Sequence, residues 1–486
     1  MLNNKIINTK IINMSKSIKL LALCFFLFCA NMVSGTNENE TDTVRPTLHF
    51  RNGTIKTGDL IPFYWEGEYH IFYLETNNWS HIVSRDMVNW KRLPDALIKG
   101  DNPLGPDAEA IWTGSIVEQN GTFYLYYTGK NLSDPKGDQK VMQAQSTDLI
   151  HWTKMPELTF YADGKIYWNK PINGAIDDKH AYHHQAFRDP HVVWNEKEQV
   201  WWMGLHAMKA DASSPGVGLY TSKDLTHWMV HEPLVIYPAS VSGDCPDLFQ
   251  INGNWIVNLA DFHYVRVSKT QMLNPPVLAY DCGDLRVAKT LFDGNRRIII
   301  GWIGDYKDAK DAGEYEWGGC FSMPRELYAD KQGLLYQRPI KEIINLYKKP
   351  IVSIKNGLKL NTPVKNLPLE YMLTTTLNPS GSKGKATLYL LQSSSDSNDG
   401  YHVSIDFKSK EIEIGSKYKS HKRICNFNTE KPINIQLFIA DNIIECFVNN
   451  AFAFTFRAYD CKGTEAKIVS TDNNIKVETF AIATIF

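Results

Sequence analysis

Three acidic residues of this chain stand in the same local setting. Asp59 lies in TGDLIPFYW (57–65), Asp189 in FRDPHVVW (187–194) and Asp244 in SGDCPDLF (242–249). Each comes just before a run rich in aromatic and β-branched residues, the pattern of a buried strand. A single acid in such a place is ordinarily a turn cap whose carboxylate accepts backbone N–H groups. Three in equivalent places, with Pro190 and Pro246 fixing the backbone beside two of them, point instead to a shared purpose. Carboxylates gathered from distant parts of a chain can divide the work of splitting a glycosidic bond: one attacks the anomeric carbon while another protonates the leaving oxygen. The 13 Trp and 23 Tyr suit a sugar substrate, because flat rings stack on sugars and their polar edges meet hydroxyls, although most of these rings are expected in the core.

A repeat must position these acids. The segments GEYHIFYL (67–74), GTFYLYYTG (121–129), EQVWWMGLH (198–206), GNWIVNLA (253–260) and NRRIIIGWIG (295–304) each follow a turn-like polar cluster and read as buried strands, which implies five similar units. A second repeat keeps the phase: SRDMVNW (84–90), STDLIHW (146–152) and SKDLTHW (222–228) share Ser-x-Asp-x-x-x-Trp. This element reads as a structural turn, the Asp accepting backbone donors and the Trp filling a gap between units. Units of this size cannot bury their faces alone and stack most economically in a ring. The expected fold is therefore all-β, with a five-bladed β-propeller over residues 47–347 whose inner strands start at one end of a central channel, where the three acids would meet. Beyond RPIKEIINLYKK (338–349), read as a short helical linker, stretches such as YHVSIDF, INIQLFIA and VETFAIATIF alternate apolar and polar residues, and a β-sandwich domain is expected over 350–486.

Composition narrows the function classes. With 486 residues, 43% of them hydrophobic, the chain can bury a large core and form two domains. Lys+Arg at 52 against Asp+Glu at 53, without a basic run interleaved with aromatics, argues against nucleic acid as a partner. Lys16 and Lys19, the apolar run LLALCFFLF (20–28) and the small residues near Gly35 read as an export signal over 1–35, with Met14 as the functional start and 36–46 as a flexible leader. The apolar run is short for a membrane span, so a secreted or periplasmic protein is expected. Six cysteines follow the signal with no Cys-x-x-Cys pair, so no metal or other cofactor is expected and disulfide pairing is left open, as is the oligomeric state.

Taken in order, GDLIPFYWEGEYHIFYL, WSHIVSRDMVNWKRLPDAL, IWTGSIVEQNGTFYLYYTG, FRDPHVVW, DCPDLFQI, YDCGDLRVAKT and WGGCFSMPRELYADKQGLLYQRP resemble glycoside hydrolase family 32, the invertases, inulinases and levanases. IIECFVNNAFAFTFR (443–457) resembles that family's C-terminal domain, so the likeness spans nearly the whole chain after the signal. It implies a retaining double displacement on a β-fructofuranosyl unit of a fructan, fructo-oligosaccharide or sucrose-type carbohydrate. Asp59 matches the nucleophile, Asp189 the acid that stabilises the transition state, and Asp244 the general acid/base, with Arg188 expected to hold Asp189 ionised. Trp112 and Ser115 of WTGS, Trp317, and more loosely Trp79 match pocket residues, each with core packing as its alternative.

Three departures qualify the likeness. TGDLIPF replaces the family's Asn-Asp-Pro-Asn. Leu285 and Arg286 replace an aromatic pair, so Arg286 is expected to place a charge at the site that clamps an anionic or hydroxyl-rich group. Asp244 stands for a glutamate and withdraws its carboxyl by roughly 1.5 Å, when a misplacement of about 1 Å can cost on the order of a hundredfold in rate. Either the backbone around Cys245-Pro246 shifts inward, or another acid takes over, Glu109 before Asp261. A glycan-binding propeller with weakened catalysis and a five-bladed glycosidase of arabinosides or xylosides are the alternative readings.

Overall fold

Five sheets, antiparallel except for a short parallel edge pair in the third (Val235 and Ile236 beside Met272 and Leu273), follow one another along the chain, and their first strands line a common axis. These inner strands are Gly58–Trp65, Ala110–Gln119, Phe187–Asn195, Asp247–Ile251 and Leu285–Phe292. Each touches the next, and the fifth returns to the first, so the ring of a five-bladed propeller is closed. The computed structural model describes residues 46–169, 186–238, 240–268, 272–393 and 399–485; the export signal and nearly all of the leader read from the sequence lie outside them. Among the described residues no helix is long and apolar enough to cross a membrane.

The five aromatic-rich segments are the second strands of the blades, Glu68–Glu75, Thr122–Lys130, Val200–Met208, Asn254–Asn258 and Arg297–Tyr306. Their side chains are buried on both faces because a blade is covered by a neighbour on each side. The Ser/Asp/Trp repeat is the structural turn it was read to be. In each copy the Asp Oδ1 accepts two backbone N–H groups, from Val88 and Asn89, Ile150 and His151, and Thr226 and His227, at 2.8–2.9 Å. The residue after that Asp takes a positive φ, 59° at Met87 and 63° at Leu149 and Leu225. The tryptophans then reach the preceding blade: Trp152 meets Phe72 edge-on at 6.0 Å, and Trp228 meets Tyr126 at 5.5 Å. Trp90 packs into the cluster that holds Leu291 and Ile298 of the fifth blade, which seals the ring.

A one-turn helix, Lys341–Ile344, leads out of the propeller. After it come a six-stranded and a five-stranded antiparallel sheet, running from Lys349–Lys355 to Lys476–Thr484, packed face to face over one apolar core. The sandwich is joined to the propeller by a buried ionic network. Arg325 of the fifth blade donates to Glu445 Oε2 at 2.6 Å and to Thr455 Oγ1 at 2.7 Å, and it also pairs with Asp281. His49 lies 3.1 Å from Glu445 Oε1, and the Met323 N–H donates to the same oxygen. All six described cysteines are free thiols in buried positions.

Candidate active site

Local irregularity at the top of each inner strand turns side chains into the channel. Opposite Tyr73, the first blade carries Asp59 and Leu60 against one partner residue, a β-bulge with Asp59 at φ 42°. The third blade has the same irregularity at Asp189, φ 61°, and the fifth at Val287, φ 44°. The second blade is bulged between Trp112 and Gly114. The fourth pairs regularly but enters its strand through Cys245 at φ 52°, next to Asp244. Bulges re-aim a side chain that a regular pleat would hold in the sheet, and the sparsely populated backbone angles fall at or beside all three acids.

The acids are brought together. Arg188 is 1% exposed and spans two of them, its Nη2 2.5 Å from Asp244 Oδ1 and its Nε 3.7 Å from Asp189 Oδ2. The Cys245 N–H donates to Asp189 Oδ2 at 2.9 Å, and the Asp189 N–H is held by Thr128 Oγ1 at 2.7 Å. Asp59 accepts the indole N–H of Trp302 at 3.1 Å. Burial and the neighbouring Asp189 carboxylate push Asp59 up to about 7, against the opposing pull of Lys289 and Trp302. Burial likewise raises Asp189 to about 6, with Arg188 opposing it and Asp244 adding to it. Two of the three carboxylates, Asp59 and Asp189, are thus raised toward neutrality in spite of the neighbouring cations Arg188 and Lys289.

The other predicted residues divide. Arg188 opposes the rise of Asp189, as expected, and it is shared, with its shorter bond to Asp244. Trp79 is fully buried and donates its N–H to the Trp112 carbonyl at 3.1 Å; it is core that fixes the backbone of the pocket strand, and it is no pocket wall. Ser115 is buried and accepts the Val192 N–H at 2.9 Å, tying the second inner strand to the third. Trp112 is half-buried with the Lys130 ammonium 5.2 Å from its ring. Glu109 pairs with that same Lys130 at 2.7 Å and accepts the Leu132 N–H. These bonds outweigh its partial burial and hold its carboxyl below the usual range, the opposite of what a substitute proton donor needs. Arg286 is not the open clamp that was expected: it donates to the Gly283 and Leu285 carbonyls, faces Asp261 at 3.6 Å and lies over the Tyr315 ring.

Trp317 is placed beside Asp59. Thr57 and Gly319 exchange backbone hydrogen bonds, which sets the indole over Gly58, where a Cβ would come within 2.6 Å of Trp317 Cζ2. It is 44% exposed, 5.9 Å from the Trp302 ring, and with Tyr315 it forms an aromatic wall next to Asp59.

Sequence reasoning passed over His206, Tyr237, Gln139, Trp302 and Lys289. The signal available was a polar residue inside an otherwise apolar strand, as in EQVWWMGLH and LRVAKT. Below the acids, the next residues of the inner strands line a cavity of about 210 Å³, with His191, Asp247, Lys289 and Arg297 among its walls. Lys289 donates to the Gly114 carbonyl at 2.7 Å, and Thr290 to Asp247 at 2.9 Å. Among the described residues no group of His, Cys, Asp and Glu is arranged to hold a metal ion.

Residues 61–339 match the sequence model of the glycosyl hydrolases family 32 N-terminal domain, and residues 342–484 match that of the family 32 C-terminal domain. Among curated proteins, sucrose-6-phosphate hydrolase of Escherichia coli is 25% identical over 87% of this chain and 91% of its own length. A beta-fructofuranosidase, insoluble isoenzyme CWINV5, of Arabidopsis thaliana is 26% identical over 59% of this chain, which spans 55% of that protein. The crystal structure of fructan 1-exohydrolase IIa from Cichorium intybus has the same fold, with a TM-score of 0.70 at 19% identity over 90% of this chain and 97% of that one. The match to the N-terminal model begins two residues after Asp59.

Proposed function

The chain belongs to glycosyl hydrolase family 32, and from that premise we propose that it is an exported β-fructofuranosidase that cleaves by a retaining double displacement. The observation that carries the reading is the convergence of Asp59, Asp189 and Asp244, from three different blades, at one end of the propeller channel, with one buried guanidinium touching two of them. The relatives named for β-fructofuranosides and for sucrose 6-phosphate support the substrate class. Export rests on the apolar run at 20–28.

In the first half-reaction Asp59 attacks the anomeric carbon while Asp244 gives its proton to the departing oxygen. The Trp302 N–H fixes the direction of the Asp59 carboxylate. Asp189, oriented by the Cys245 N–H, accepts from sugar hydroxyls and stabilises the positive charge that develops on the ring. In the second half-reaction Asp244 takes a proton from water, which releases the sugar from Asp59. One proton serves the cycle, and the productive arrangement places it on Asp244 with Asp59 ionised. Asp244 is the proton donor in preference to Glu109, whose bonds to Lys130 and Leu132 favour its ionised form.

A second reading, a propeller that binds fructosides and turns them over slowly, is favoured by the 2.5 Å bond between Arg188 and Asp244, because a cation stabilises the carboxylate over the acid. Sugar release from sucrose, inulin and levan by the purified protein, with Asp59→Asn alongside, separates the two. Release that disappears in the variant is the expected result. Binding of these sugars without release would establish the second reading, and release undiminished in the variant would overturn the assignment of Asp59.

A further inference from the structure

His206 is a fully buried imidazole in the middle of an apolar strand, and the proposed mechanism leaves it unused. It is the direct cross-strand partner of Arg188, because the bulge at Asp189 shifts the register between Gly204 and His206. Paired residues on one face of a sheet point the same way, and here both reach Asp244. The Arg188 Nη2 lies 2.5 Å and the His206 Nε2 3.3 Å from the same oxygen, Oδ1, whereas Ser242 Oγ stands 3.5 Å from Oδ2. On its other side the imidazole Nδ1 meets the Tyr237 hydroxyl at 2.8 Å, and that tyrosine is fully buried, its ring nearly parallel to the imidazole. Tyr237 also fixes the backbone that carries the acid, since its hydroxyl lies where a Cβ on Gly243 would stand.

With the Tyr237 O–H donating to Nδ1, the tautomer this proposal assigns, the imidazole proton lies on Nε2, facing Asp244. The Arg188 Nη2–H then donates to Oδ1, and the imidazole edge stands 3.3 Å from the same oxygen. The guanidinium favours the carboxylate overall, but when Asp244 takes a proton the contacts on Oδ1 leave Oδ2 as the oxygen that carries it, because in a carboxylic acid the carbonyl oxygen accepts and the hydroxyl oxygen donates. This arrangement also replaces the reach that a longer side chain would supply, by fixing the short carboxyl from behind.

We propose that His206, oriented by Tyr237, is a positioning residue for the general acid: with Arg188 it holds Oδ1 of Asp244, so that Oδ2 carries the proton given to the leaving oxygen. The inference rests on Asp244 being that acid. In the step itself the Oδ2–H proton passes to the glycosidic oxygen as its bond to the anomeric carbon breaks and Asp59 bonds to that carbon. Water later returns a proton to Oδ2 as its oxygen displaces Asp59.

The test compares two donors, sucrose, whose sugar leaving group requires protonation, and an aryl β-fructofuranoside, whose phenolate leaves without it. For each, release of the leaving group is followed in the pre-steady state, so that slow deglycosylation does not mask the first step. Asp244→Asn is expected to lose on the order of a hundredfold or more with sucrose and to keep the aryl burst. His206→Leu is expected to show the same selective loss at about 10–100-fold, and Tyr237→Phe a smaller loss of the same kind. His206→Gln, whose amide can still donate, should recover part of the sucrose rate. If Asp244→Asn slows both donors alike, the acid assignment itself is wrong. If Asp244→Asn discriminates and the His206 and Tyr237 variants do not, only the positioning role is overturned. Should His206→Leu not fold, Tyr237→Phe and His206→Gln decide the matter.

Discussion

The functional side chains are held in states that ordinary carboxylates do not occupy. Asp59, the proposed nucleophile, is pushed up to about 7 by burial and by Asp189 and so becomes ionised as pH rises through neutrality. The acid limb of kcat/KM is therefore expected near pH 6–7, with the rate falling as pH drops through it; a limb near 4 would contradict the coupling of the three acids. The same shift carries a sign for stability. A folded-state value above the ordinary 3.8 means that the native state binds the proton more tightly, so stability declines as pH rises from about 4 to about 7. Asp59→Asn removes that penalty and is expected to raise Tm by roughly 1–3 °C at pH 7.5 and by little at pH 4, as calorimetry at the two pH values would show. Asp244→Glu tests whether the site has been rebuilt around the shorter acid. With Arg188 2.5 Å from the carboxylate, an added methylene must displace that bond, and a loss of about tenfold in kcat is expected; a gain would mean that the short acid is only misplaced. The three acids were legible in the sequence because each stands at the head of a run rich in aromatic and β-branched residues, although the inner strands already include Asp59 and Asp189 and only Asp244 precedes its strand. The partners of Asp244 were not, since His206 and Tyr237 become its neighbours only through cross-strand register and a bulge.

At the scale of elements, the bulges are what convert a repeated strand into a site. Where the pleat is regular, side chains of the inner strands point into the sheet packing; at Asp59, Asp189 and Val287 the backbone bends at positive φ. Alternation of apolar and polar residues marks strands but not extra residues within them, so the blades could be read from the sequence and these bends could not. The meeting of Gly58 with Trp317 is of the same kind, because a backbone pair between Thr57 and Gly319 creates it. Gly58→Ala puts a methyl 2.6 Å from the indole and is expected to move it, lowering kcat/KM by about 10–100-fold. In a Trp317→Ala background the same substitution should cost much less, as a double-mutant cycle would reveal. Additive losses would show that the indole does not transmit the effect. Trp79 belongs to this scale too: its motif suggested a pocket, but full burial and its bond to the Trp112 carbonyl make it a support for the strand beneath.

At the scale of the whole molecule, the ring holds the acids in place and the sandwich braces the ring. The brace runs through Arg325 of SMPREL and Glu445 of IIECFVNN, both buried, with Asp281, Thr455 and His49 completing their hydrogen bonds. Removing one partner strands the others, so Glu445→Leu is expected to destabilise the protein by about 3–5 kcal/mol, measured by denaturant unfolding; an unchanged midpoint would show that the two domains do not depend on this network. Both halves of the architecture were open to sequence reasoning through periodicity, whereas the network between them joins residues separated by more than a hundred positions and has no local signature. The closed ring matters because it brings Asp59, the proposed nucleophile, into a site assembled from three blades. The most direct measurement is to treat Asp244→Asn with an aryl β-fructofuranoside, quench, and locate the retained sugar by peptide mass mapping. Without its base the variant should accumulate the covalent intermediate, with one fructosyl unit on the peptide that carries Asp59. A fructosyl unit on any other residue, or release of the phenolate with no adduct at all, would contradict the account.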